Sequence, residues 1–140
     1  MPTVVRVHWL EDHEDKESSE HSRVLYSYSH PKTEELLYIG KSDYCTVHER
    51  QRGAHKEKLF HNIQATEGLN SVLLRVGVLY LERYKRFSPA LLSDVESLLI
   101  YRIQPRYNKQ ARQSRISRPG LEVSCTGDWR FTINRFIDQQ

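Results

Sequence analysis

Short runs of β-branched and aromatic residues, separated by turn formers, set the pattern along this chain. TVVRVHWL predicts a short strand near the start, and the acidic, histidine-dotted LEDHEDKESSEH after it is expected as a mobile arm. RVLYSYSHPKTEELLYIG then reads as a β-hairpin folded about a Pro-containing turn. With the turn centred on Lys32, Tyr26 falls opposite Tyr38, and directly opposed side chains share a face, so both phenols meet there with Tyr28 beside them. A slip by one residue separates them.

After Gly40 the polar KSDYC leads to Thr46 with Glu49 three positions on, a capping box that starts a helix at Val47 and puts Arg50 about one turn inside it. SVLLRVGVLYL predicts a buried strand. SPALLSDVESLLIYRI predicts a helix with Ser88 as N-cap, Pro89 at its first position and an apolar stripe of Leu92, Val95, Leu99 and Ile103. Glu96 lies on the flank of that stripe, where a half-buried carboxylate wants a partner. Pro105 stops this helix, and from Gly120 two β-rich runs around Gly127-Asp128 predict a closing hairpin.

At 140 residues with 38% hydrophobic content the chain is one domain's worth. Its apolar runs are far short of the roughly 20 residues that span a bilayer, and the first residues lack a signal-peptide layout, so an intracellular, cytoplasmic protein without a membrane is expected. Cys45 and Cys125 have no zinc-site spacing, and His8, His13 and His21 are expected at the surface. The net charge of +3 hides an asymmetry: residues 1–20 carry six acids and two bases. Arg102, Arg106, Lys109, Arg112, Arg115 and Arg118 form a run without an acid, which suits a polyanion such as nucleic acid or, more plainly, a solvated basic face.

In order along residues 22–110 these pieces resemble the GIY-YIG nuclease superfamily, as a small stand-alone catalytic domain. VLY (Val24 to Tyr26) matches the first tyrosine motif, and YIG (Tyr38 to Gly40), followed by Lys41, matches the second. Arg50 on the capped helix, Glu96, and PRYN ending in Asn108 complete the series. The resemblance implies an α+β fold, a small antiparallel three-stranded sheet flanked by helices, here with a C-terminal β-hairpin. It divides the chain into an acidic arm (1–21), the nuclease-like domain (22–110), and a basic linker with hairpin packed on it (111–140).

It also implies a divalent-metal-dependent endonuclease that hydrolyses phosphodiester bonds. Glu96 would hold Mg²⁺ or Mn²⁺, with waters and phosphate filling the other positions. Tyr26 or Tyr38 would be the general base, its pKa lowered by Lys41, and Arg50 would bind the charge of the transition state. Asn108 supports the site's geometry, Gly40 has the plain alternative of a φ > 0 turn, Glu96 that of an ion pair with Arg102 or another nearby base, and the tyrosines that of packing. Arg52 and the basic run would touch backbone phosphates, of DNA in preference to RNA, with low sequence specificity unless a partner protein or a homodimer adds it.

Three departures accompany the resemblance. Val24 replaces a glycine. Two extra residues precede the helix cap, so Arg50 is placed by its distance from Thr46. Where the family often has Tyr or His one turn beyond the arginine stands Ala54, so His55 serves only if the helix is irregular near Gly53. The competing readings are a catalytically impaired nucleic-acid-binding module, and an interaction domain whose acidic arm and basic tail find each other or a partner.

Overall fold

The alternation in TVVRVHWL carries further than a terminal strand. In the computed structural model, which describes residues 3–11, 24–42, 54–82, 86–108 and 118–138, strand β1 (Thr3–Glu11) buries Val5, Val7 and Trp9 and leaves Arg6 exposed. The hairpin strands are β2 (Val24–Ser29) and β3 (Leu36–Ser42), followed by helix α1 (Ala54–Glu67), β4 (Leu73–Leu81), helix α2 (Pro89–Ile103), β5 (Leu121–Gly127) and β6 (Arg135–Ile137). All six strands join one sheet in the order β3-β2-β4-β1-β5-β6.

This overturns the expected three-stranded antiparallel sheet. The sheet is six-stranded, mixed and curled into a half-barrel, with two helices among the described residues. β2 pairs antiparallel with both β3 and β4, but the sheet then continues through β1, antiparallel to β4 and parallel to β5, and ends in the antiparallel β5–β6 pair. Partners across β1–β5 such as His8 and Thr126 stand 118 positions apart, and a local pattern of apolar residues carries no information about so distant a neighbour.

Each face of the sheet has its own core. α2 covers one, packing Leu92, Val95 and Leu99 against Val5, Val7, Leu25, Ile39, Leu121 and Val123. α1 covers part of the other, where Leu59 and Ile63 meet Tyr26, Tyr28, Leu37 and Val76. α2 starts as its sequence predicts: the Ser88 hydroxyl accepts from the Leu91 N–H at 3.1 Å, and Pro89 occupies the first turn. It stops at Gln104, whose φ of 60° is left-handed and whose N–H donates to Ile100 O at 2.8 Å. Among the described residues, no helix is long and apolar enough to cross a membrane.

Candidate functional site

Three tyrosines gather on the α1 face of the hairpin. Tyr28 stands opposite Tyr38, and Tyr26 opposite Gly40, a register two residues removed from the one with Lys32 at its centre. An even shift keeps every side chain on its face, so the phenols still meet. Ring centroids lie 5.6 Å apart for Tyr26 and Tyr28, 6.2 Å for Tyr26 and Tyr38, and 5.7 Å for Tyr28 and Tyr38, the last pair stacked at 22°. Phe60 of α1 closes on Tyr28 at 5.0 Å. Tyr26 and Tyr28 are each 1% exposed, whereas Tyr38 is only partly buried.

Gly40 does not sit at a φ > 0 turn. It lies within β3, and the glycines with positive φ among the described residues are Gly68, Gly120 and Gly127. Its reason is close approach: a Cβ there would strike Cζ and Oη of the Tyr26 ring and come within 2.8 Å of Cε2. The missing side chain makes room for the phenol.

β3 is an edge strand, and PRYN closes its edge. The Asn108 carboxamide accepts from the Ile39 N–H at 2.9 Å and donates to Ile39 O at 2.8 Å, so a side chain stands in for a further strand. One step back, the Tyr107 N–H donates to Leu37 O at 3.0 Å. Asn108 is 5% exposed, and its two bonds satisfy backbone groups that would each cost about 1–3 kcal/mol if buried unpaired. It acts on the strand that carries Tyr38 and Gly40.

Arg106 extends this clamp. It grips Glu35 of the hairpin through Nε (2.6 Å) and Nη2 (2.9 Å), and pairs with Glu67 at the end of α1. The Glu35 hydrogen bond is the main reason that its pKa is raised. Tyr107 Oη also donates to Glu67, at 3.2 Å, and burial raises the pKa of that phenol.

Lys41 points the other way. Its Nζ donates to Ser93 Oγ on α2 at 3.0 Å, on the face opposite the phenols, so the sheet lies between this ammonium and the tyrosines. Glu96, half-buried, follows Ser93 by three residues on α2 and shares its side of the helix. The structure thus brings Tyr26, Tyr38, Gly40 and Asn108 together, and separately places Lys41 beside the helix face of Glu96. Ser93 escaped the sequence reading, although its spacing of three from Glu96 marks it as a neighbour.

The basic residues that can be placed are engaged and dispersed. Arg102 Nη1 donates to Ile137 O at 3.1 Å and so lies at β6. Arg118 pairs through Nε with Asp94 of α2 at 2.6 Å, and its backbone N–H reaches Asp138 Oδ2 at 2.8 Å. Arg50, Arg52, Lys109, Arg112, Arg115 and the Thr46 cap lie outside the described residues, and His55 falls in the first turn of α1.

One carboxylate can serve for Mg²⁺, which is commonly held by one or two with waters and phosphate completing the shell, and Glu96 is half-buried on α2. Among the described residues no group of three or more His, Cys, Asp or Glu side chains is placed to hold a metal. Comparison of the chain with family models, with curated proteins and with solved structures finds no match.

Proposed function

We propose that this chain is a divalent-metal-dependent endonuclease that hydrolyses phosphodiester bonds of DNA with low intrinsic sequence specificity. The observation that carries this reading is the Asn108–Ile39 clamp: two motif pieces 69 positions apart, YIG and PRYN, meet through two hydrogen bonds that fix the strand bearing Tyr38.

In this reading Tyr38 is the phenol that takes a proton from the attacking water, because it is partly exposed while Tyr26 is 1% exposed above Gly40. Tyr26 and Tyr28 hold its ring in place. Glu96 would hold Mg²⁺ or Mn²⁺, which when bound would neutralise phosphate charge and stabilise the departing oxygen. Lys41, steadied by Ser93, adds positive charge on the side of α2 that carries Glu96, and Arg50 supplies the bidentate guanidinium for the transition state; because Tyr38 and Lys41 stand on opposite faces of the sheet, the reading requires the phosphate to lie at the edge strand β3, in reach of both. Further specificity would come from a partner protein or a second copy of the chain.

One observation favours a second reading, a nucleic-acid-binding module with impaired catalysis: the sheet stands between the phenols and Lys41. A nicking assay on supercoiled plasmid separates the two. Nicked circles in Mg²⁺ or Mn²⁺, absent in chelator and with Glu96→Ala, support the enzyme. Salt-sensitive DNA binding without nicking supports the module, and a parallel RNA substrate tests the preference for DNA.

A further inference from the structure

Beside the tyrosine cluster, on the α1 face, lies a cleft of about 380 Å³ lined by Tyr28, Phe60, Ile63 and Leu69 and by the exposed Gln64 and Asn70. A volume of this order suits a small ligand. None of the residues that line it is charged. A phosphate entering it would lose its hydration with no cation in return, whereas a neutral planar group would lay its faces on the partly exposed Phe60, Leu69 and Leu74, with the buried Tyr28 and Ile63 as the floor beneath. Gln64 and Asn70 each offer both a donor and an acceptor, the complement of a heteroaromatic edge that carries both.

The position narrows the ligand further. Tyr28 forms part of the cleft and stacks on Tyr38 at 5.7 Å, so the cleft begins one ring away from the partly exposed phenol. We propose that this cleft is a nucleobase site that takes an unpaired base and thereby brings the adjoining backbone to Tyr38. The inference rests on the nuclease reading and names its substrate class: DNA with a base free of its partner, as at a mismatch, a flap or a single-stranded junction. Extruding a base costs a few kcal/mol, and least where pairing is already lost, so such a site selects for damaged or branched structure without reading sequence.

The test needs neither metal nor turnover. Neutral nucleosides, adenosine and thymidine, are titrated to about 10 mM into the metal-free protein while NMR follows the side-chain amides of Gln64 and Asn70 and the ring of Phe60. Shifts confined to these groups are expected, and the exposed-site variants Gln64→Ala and Asn70→Ala should each weaken binding several-fold while keeping the fold. Cyclohexanol serves as the apolar control. Absence of nucleoside shifts, or equal shifts with cyclohexanol, overturns the proposal. A protein that nicks DNA without binding nucleosides loses the base site and keeps the nuclease reading; one that binds nucleosides at the cleft but never nicks keeps the site and loses that reading.

Discussion

Arg75 of β4 donates from Nε to Asp128 Oδ2 at 2.8 Å, and neither side chain is more than 7% exposed. The pair ties the middle of the sheet to the segment that leaves β5. Nη2 of Arg75 lies 3.6 Å from Glu11 and 3.8 Å from Glu34, within reach of their charge but too far for hydrogen bonds, and it is buried without a hydrogen-bond partner. Asp128 therefore carries most of the compensation for a guanidinium removed from water.

Replacing Asp128 with Ala should accordingly destabilise the protein, by up to about 3 kcal/mol, because it leaves the buried guanidinium only the longer ion pairs with Glu11 and Glu34. Arg75→Met together with Asp128→Leu should cost much less, since both charges leave the interior together. Chemical denaturation of the single and double variants measures the difference; equal losses would mean that the pair is solvated.

The same carboxylate predicts a pH dependence. Burial pushes the Asp128 pKa up, but hydrogen bonds from Arg75 and Arg130 outweigh it and hold the folded-state value below that of a free aspartate. A lowered folded pKa contributes stability that is fully present above the unfolded value, near 3.9, and is lost as the pH falls through the folded one. The stability gap between the native chain and Asp128→Asn should be constant near neutrality and narrow progressively below about pH 4. Melting temperatures across that range provide the check.

Asn108→Ala should leave Ile39 with two unsatisfied backbone groups and cost about 2 kcal/mol or more. The Ile39 amide should lose hydrogen-exchange protection while the β1–β4 amides keep theirs. Because Asn108 acts through the strand, the nuclease reading expects turnover to fall more than DNA affinity. Unchanged Ile39 protection would show that water replaces the carboxamide without loss.

Gly40→Ala should force the Tyr26 ring from its place, at a cost of about 1–3 kcal/mol. Combining it with Tyr26→Leu should recover part of that loss, giving a coupling energy that two independent sites would lack. Additive effects would indicate a strand that yields elsewhere.

If the nuclease reading holds, Glu96→Ala should abolish metal-dependent cleavage in a variant that still folds, as circular dichroism would check. Retained cleavage at saturating Mg²⁺ would remove Glu96 from the site. In the basic run, Arg112→Ala with Arg115→Ala should flatten the salt dependence of DNA binding by roughly 0.9 per lost phosphate contact. Arg118→Ala should flatten it less, because its guanidinium is paired with Asp94.

What could be read beforehand divides along physical lines. The tyrosine cluster was legible because strand parity survives an even register shift, and the start of α2 because Ser88-Pro89 is a local signal. The opposed placement of Lys41 was also present in the alternation: Tyr38 and Lys41 are an odd number apart in one strand, which puts them on opposite faces. The six-stranded sheet was not legible, because β1 and β5 show only their own apolar patterns and never name each other. The role of Gly40 was hidden for a similar reason, since the ring that requires it belongs to another strand.

The placement of β1 between β4 and β5 also sets an order of events for a growing chain. β1 is made first, its antiparallel neighbour Leu73–Leu81 well after it, and its parallel neighbour Leu121–Gly127 later still. Contacts of such long range slow folding, since chain closure must precede the reward of pairing. Until β5 emerges, one border of β1, with Val5, Val7 and Trp9 beside it, is open to any other strand in reach. The interval between synthesis of β1 and of β5 is therefore the period in which mispairing of this border competes with folding.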